Sequence, residues 1–315
     1  MLLFFACTGE KPLDSGAESL IEQRTYENDD VLSITQGIVL GSHNSYHQQP
    51  ESETVAEWNY SHPPLSEQLD QGLRQFELDV HRDPDTGEFV VMHVPVLDSE
   101  TSCYLLSDCL QEMRDWSEAH PWHFPLQILI EPKTEFERWS FFEDPQAWEQ
   151  LEHIIGEEIG DKIFEPAELQ GEHSSIRDAV LTEGWPSLRV MRGRMVFALL
   201  DSGEARDYYI AGLTDLSNRA MFPLVNEEHD FAAYFLKDNP YDETIAAAVQ
   251  QGFLVRTRGD AGLVVDAERL GQAIGSGAHA ISTDLEENHW WVEPEHPISC
   301  NPLTAIEACS KEDLE

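Results

Sequence analysis

Short runs of aliphatic and β-branched residues recur along this chain, separated by stretches whose apolar positions repeat every three to four residues. The runs predict strands at 37–41, 74–80, 89–93, 126–131, 195–200, 220–225, 253–256 and 278–283. The longer periodicity predicts helices that include 108–120, 145–159, 174–182 and 241–251. Eight strands with intervening helices in about 300 residues predict an α/β fold, an irregular TIM (β/α)8 barrel. Only eight residues separate Val80 from Phe89, too few for a helical crossover. A bare return loop and a local hairpin are both open there.

No low-complexity linker or repeat divides the body of the chain, and 315 residues with 41% hydrophobic content suffice for one large domain. The start is different. Residues 1–6 are apolar, Cys7 follows a small residue, and a polar stretch rich in Gly, Ser and Asp comes next. That resembles a bacterial lipoprotein signal with Cys7 as the lipidated residue. The expected division is a signal remnant and tether over 1–30 and a single catalytic barrel over 31–315. The expected location is exported, either as a cell-envelope lipoprotein or secreted. No later run approaches the roughly 18 apolar residues of a membrane span.

Cysteine spacing points the same way. Cys103 and Cys109 lie six apart and Cys300 and Cys309 nine apart, so two short-range disulfides plus one lipidated thiol account for all five cysteines. Five reduced thiols are the alternative. Charge narrows the partners. With 60 acidic against 19 basic residues, a formal charge of −41, the chain is not a general nucleic-acid binder, which needs patches of Lys and Arg. Strong electrostatic adhesion to an anionic membrane is disfavoured too. Such acidity is a solvation feature, of the kind a salty habitat favours.

Candidate chemistry gathers where the predicted strands end, the place where barrel active sites are built. The first runs into Gly-Ser-His-Asn-Ser-Tyr-His (41–47), the second ends in Glu-Leu-Asp-Val-His (77–81), the third in Met-His-Val (92–94), the fourth in Ile-Glu-Pro-Lys (130–133). Residues two apart on a strand share a face, so Glu77 and Asp79 point the same way. With Asn44 and Glu131 from adjacent strands they make an oxygen-only set suited to a hard cation, Ca2+ in preference to Mg2+. His43 and His93 would flank that cation and move protons at a phosphodiester near neutral pH. Arg256 and Arg258 share a face and are candidates for binding a substrate phosphate, with Lys133 a further positive group. His81 is a candidate to face the pocket. His47, His62, His120 and His123 show no comparable partners and are expected to be surface or structural.

In this order, Gly-Ser-His-Asn-Ser, Glu-Leu-Asp, the His of the third strand and Ile-Glu resemble the catalytic half of calcium-dependent phosphoinositide-specific phospholipase C, bacterial single-domain branch. Further familiar segments are Leu-Asp-Gln-Gly-Leu-Arg (69–74), Trp-Ser-Glu-Ala-His-Pro (116–121), Gly-Trp-Pro-Ser-Leu (184–188) and Cys-Asn-Pro-Leu (300–303), so the resemblance spans roughly 36–309. It implies catalytic roles for His43 and His93 and calcium ligation by Asn44, Glu77, Asp79 and Glu131. In metal-independent relatives an aspartate follows the first histidine and an arginine replaces the metal. Here Asn44 follows His43, as in the metal-using branch. At the seventh strand relatives often carry Arg-Ala-Asp, from which Gly259 departs. The implied reaction is attack by the inositol 2-hydroxyl on its own phosphodiester, releasing diacylglycerol and a cyclic inositol phosphate. The nucleophile is already near phosphorus, so little association entropy is lost. The implied partners are an inositol phospholipid or related phosphodiester and a membrane surface, met transiently or through a lipid anchor, by a monomer.

Each residue also has a plain reading. His43 and Asn44 suit an ordinary turn, His93 a core histidine, Glu131 a strand end bound to an arginine, and Arg256 with Arg258 a salt-bridged pair. Glu77 and Asp79 are harder to dismiss. Phe76, Leu78 and Val80 take the opposite, apolar face, so the carboxylates point inward, where unpaired charge is costly. Rival functions are a metal-dependent glycerophosphodiester phosphodiesterase, which typically shows His-Arg-Gly where this chain has His-Asn-Ser, a sphingomyelinase D-like enzyme, and a noncatalytic calcium-stabilised surface lipoprotein.

Overall fold

A computed structural model describes residues 26–51, 55–293 and 295–315. Its strands are β1 (Gly37–Ser42), β2 (Gln75–Arg82), β3 (Phe89–Val91), β4 (Leu126–Pro132), β5 (Met195–Leu199), β6 (Met221–Pro223), β7 (Tyr234–Leu236), β8 (Leu254–Arg258), β9 (Ala280–Thr283) and β10 (Ser299–Cys300). Eight of them pair in parallel in the order β6-β5-β4-β2-β1-β9-β8-β7. With helices between successive barrel strands except β6 and β7, this is the irregular TIM-type barrel the pattern predicts. The barrel is nearly closed, its seam lying between the short strands β6 and β7. Pro223 ends β6 and has no N–H to offer a neighbour.

Eight is the expected number, but the membership differs. The predicted third strand, 89–93, is not a barrel strand: β3 runs antiparallel to β2, with Val80 opposite Val91. The hairpin reading is the correct one. Asp83 builds the turn by accepting from the backbone N–H of Asp85 and Thr86, and Gly87 takes φ +79°. The place in the barrel belongs to β7, which escapes a pattern reading because only three residues pair there.

The helix Pro145–Ile159 shows why the periodic segments were legible. Asp144 caps it by accepting from Gln146 N–H at 2.9 Å, Pro145 pre-sets the first turn, and Gly160 stops it at φ +63°. Its buried stripe, Trp148, Leu151 and Ile155, packs in one core with Ile128 and Ile130 of β4 and Phe76, Leu78 and Val80 of β2. Each such side chain contributes about 1.5–3 kcal/mol when fully buried. Alternation then turns Glu77, Asp79 and Glu131 the other way, into the barrel mouth.

The far end of the barrel is strapped by the segment from Tyr26 onward and by the C-terminal residues. β10 pairs antiparallel with β1, and disulfides join Cys103 to Cys109 and Cys300 to Cys309. Glu315 ion-pairs with Arg74 at 2.5 Å, and the buried Arg192 holds Asp29 at 2.7 Å. The expected tether over 1–30 is thus described only from Tyr26 onward, and there it is packed. Cys7 and the export signal lie outside the described residues.

Two buried histidines carry a pH prediction. His279 Nδ1 accepts from Val255 N–H while Nε2 donates to the Thr35 carbonyl, and His123 donates from Nδ1 to the Phe124 carbonyl and accepts the Ser117 hydroxyl. Both rings are therefore neutral, and burial lowers each to about 4 from 6.5. Between those values the unfolded chain binds more protons, so stability is complete above pH 6.5 and falls as pH drops toward 4. The loss is on the order of 3 kcal/mol per ring. Urea unfolding midpoints at pH 7 and pH 4.5 should differ, and less so in His279→Gln.

Candidate active site

The first element of the site is the turn after β1. Gly41 lies opposite Gln75, and a Cβ there would fall 2.1 Å from the Gln75 side chain, so only glycine lets β1 approach β2 this closely. Ser45 then stitches the turn to β2, its N–H donating to the Glu77 carbonyl at 2.9 Å and its Oγ accepting from Glu77 N–H at 2.8 Å. Gln68 clamps it from below, donating to the Ser45 carbonyl and accepting from Ser42 Oγ. Between these anchors Asn44 takes φ +45°, a conformation asparagine tolerates. Its amide nitrogen donates to Tyr60 Oη at 3.2 Å, so the carbonyl oxygen is the end left for a cation.

Glu77, Asp79 and Glu131 come together, as expected. Asp79 and Glu131 are register partners on β2 and β4, and each of the three offers an oxygen within 4.8 Å of the others. Glu77 and Asp79 are buried. Lys133 bridges the pair, 3.0 Å from Asp79 Oδ2 and 3.0 Å from Glu131 Oε1. Burial alone would raise Asp79, but Lys133, His93 and His43 hold it below the ordinary carboxylate range. Burial and the neighbouring Asp79 push Glu131 well above that range. One ammonium does not satisfy this cluster. Both Asp79 oxygens are buried without a hydrogen bond of good geometry. A crowded, oxygen-only donor set with orphaned buried oxygens fits calcium.

The histidines sit beside this cluster, each backed by an aspartate. His43 donates from Nδ1 to Asp284 Oδ1 at 2.9 Å and turns Nε2 to within 3.5 Å of Glu77 Oε1. Asp284, just past β9, also accepts from Arg258 at 2.7 Å. Burial opposes its charge, but His43 and Arg258 hold it far below the ordinary range. His93 donates from Nδ1 to Asp98 Oδ2 at 2.6 Å; a tight loop with paired bonds between Val94 and Asp98 brings that carboxylate behind the ring. His43, Glu77, Glu131 and Arg256 line a cavity of about 1040 Å³ at the barrel mouth.

The three candidate substrate cations are all committed to carboxylates. Arg256 grips Glu77 at 2.6 Å and Asp238, and Arg258 holds Asp260 and Asp284 at 2.7 Å each. This is the ion-paired arrangement. Two expectations need correction. His81 does not face the cavity: it is buried and donates to the Met92 carbonyl at 3.1 Å, because the hairpin strand β3 covers it. His47 and His62 do have partners, His47 with Asp98 and His62 with the His43 carbonyl, since the loop between β1 and β2 folds back over the turn.

The sequence matches the family model for phosphoinositide phospholipase C, Ca2+-dependent, over residues 32–91 and 89–299. The chain belongs to this family. The enzyme is a phosphodiesterase of phosphoinositide lipids, and its cofactor is calcium. That sets aside the glycerophosphodiesterase, sphingomyelinase D-like and noncatalytic readings. In fold it is similar to the Ca2+-dependent phosphatidylinositol-specific phospholipase C from Streptomyces antibioticus, with TM-score 0.62 and 20% identity over 80% of this chain and 95% of that one. It is also similar to the calcium-dependent phosphoinositol-specific phospholipase C from a Gram-negative Pseudomonas sp. in an apo form, with TM-score 0.61 and 19% identity over 82% and 92%. At that identity the likeness is one of fold. No curated protein matches.

Asp98, Asp284 and Tyr60 are members of the site that residue patterns did not supply. Asp284 had a signal, since it follows the last residue of a predicted strand. Asp98 and Tyr60 lie on loops and had none.

Proposed function

We propose that this enzyme cleaves phosphatidylinositol-type lipids by attack of the inositol 2-hydroxyl on phosphorus, with His43 and His93 moving the protons and Asn44, Glu77, Asp79 and Glu131 holding calcium. The observation that carries this reading is the pair of imidazoles beside the acidic cluster, both acting on Asp79. Each has Nδ1 bound to its own aspartate, so each keeps Nε2 for chemistry.

Bound calcium supplies positive charge that lowers the pKa of the attacking hydroxyl and neutralises the phosphoryl oxygens. His43, whose Nε2 adjoins the ligand Glu77, takes the proton of the 2-hydroxyl as its oxygen bonds to phosphorus. The bond from phosphorus to the glyceryl oxygen breaks, and protonated His93 delivers its Nε2 proton to that oxygen. Asp284 and Asp98 stabilise the imidazolium forms. Arg256 and Lys133 supply positive charge beside the phosphate while bracing the carboxylates.

The lipid is met at a membrane surface. Val96 and Leu97, on the loop after His93, are 86% and 65% exposed and give the mouth an apolar rim. The two disulfides support export, with anchoring at Cys7 the form the sequence suggests. Phosphorus NMR on phosphatidylinositol vesicles should show a cyclic inositol phosphodiester in the supernatant, and lipid chromatography should find diacylglycerol in the pellet. Phosphatidic acid as the lipid product would sink the proposal.

A further inference from the structure

Behind His93 lies a second imidazole that this reaction does not use. His47 is fully buried and stacked on Tyr60, with ring centroids 4.2 Å apart. Its Nδ1 is 3.0 Å from the Tyr60 carbonyl oxygen, and its Nε2 is 3.0 Å from each oxygen of Asp98. Asp98 is buried too and accepts from His93 Nδ1 at 2.6 Å. Burial opposes its charge, but the bonds from His47 and His93 hold it below the ordinary carboxylate range.

The protons can be counted. A carbonyl oxygen only accepts, and so does an ionised carboxylate. Both nitrogens of His47 face acceptors, so both bonds are made only if each nitrogen carries a proton. A metal ion shared by His47, His93 and Asp98 does not explain the trio. Donors on a tetrahedral zinc stand about 3.3 Å apart, whereas Asp98 and His93 approach to hydrogen-bond distance, 2.6 Å. The other imidazole repeats the plan: Asp284 lies between His43 and the cationic Arg258. Each orienting aspartate is backed by a second N–H donor, and an aspartate so backed is neither left unpaired in the interior nor free to turn away from its imidazole.

We propose that His47 is a positioning residue for the cleavage reaction: a double N–H donor, clamped between the Tyr60 carbonyl and Asp98, that fixes the Asp98 carboxylate and through it the orientation and Nδ1 proton of His93. The inference rests on the role given to His93 above. It explains why a flat ring stacked on Tyr60 occupies this position, because an imidazole carrying both protons presents two N–H groups at separate edges of one plane.

A double-mutant cycle reads the idea. His47→Gln keeps one donor and loses the other, and it should lower kcat by about 10- to 100-fold, with KM and calcium affinity within about twofold. In a His93→Ala background the same substitution should cost less than about twofold, since the ring it positions is gone. Nitrogen-15 spectra of ring-labelled histidine in the folded enzyme should show both nitrogens of His47 protonated at neutral pH. A full loss on top of His93→Ala, or a singly protonated His47, overturns the proposal. If His47→Gln does not fold, Asp98→Asn takes its place in the same cycle. Turnover untouched by His93→Ala alone overturns the role of His93 and the positioning role with it; that single variant tells this failure from one confined to His47.

Discussion

Replacing His93 by alanine is expected to lower turnover of phosphatidylinositol by about 10²- to 10⁴-fold while calcium binding survives. The separation follows from where the ring is held. His93 bonds to Asp98, which is outside the carboxylate cluster, and Lys133 and Arg256 brace that cluster without it. Deleting the imidazole therefore removes a proton donor and leaves the oxygen ligands in place. Stability should change little, since the ring is about a quarter exposed and Asp98 keeps His47 as partner. Steady-state kinetics and calcium titration on one preparation check both halves. Undiminished turnover would show that another group protonates the leaving oxygen, and lost calcium binding would show that the ring braces the metal site.

The second large effect concerns the cation. Chelation should abolish turnover, with calcium restoring it and magnesium restoring less, because the loose oxygen cluster suits six to eight ligands better than a strict octahedron. A readout independent of activity comes from stability. Glu77, Asp79 and Glu131 repel one another across less than 4.8 Å, and Glu131 is pushed well above the ordinary range as a result of burial and that repulsion. A ligand that binds only the folded state at 100 times its Kd adds about 2.7 kcal/mol, so calcium should raise Tm. Asp79→Asn should erase most of that rise while costing the calcium-free protein little, since Lys133 retains Glu131. A full calcium-induced shift in Asp79→Asn would remove Asp79 from the ligand set.

Much of this protein was readable along the chain because its signals are local. Alternation on β2 put Glu77 and Asp79 on the face opposite Phe76, Leu78 and Val80, and a strand period is a property of consecutive residues. The ends of helix Pro145–Ile159 were written in Asp144, Pro145 and Gly160. The ordered motifs around His43, Glu77, Asp79, His93 and Glu131 carried the family. By contrast, the residue pattern places β3 in the barrel and passes over β7, because strand propensity says nothing about which neighbour a strand pairs with.

What residue order alone determined is the list of chemical groups, the face each takes, and the kind of fold that collects them. Tertiary structure alone decided what stands behind each group: Asp284 behind His43 from 241 residues away, Asp98 shared by His93 and His47, Arg256 across the barrel on Glu77 from 179 residues away. Such pairings depend on how the barrel wraps and how its loops return. They obey no period, and an aspartate in a loop looks the same in sequence whether it meets water or a buried imidazole.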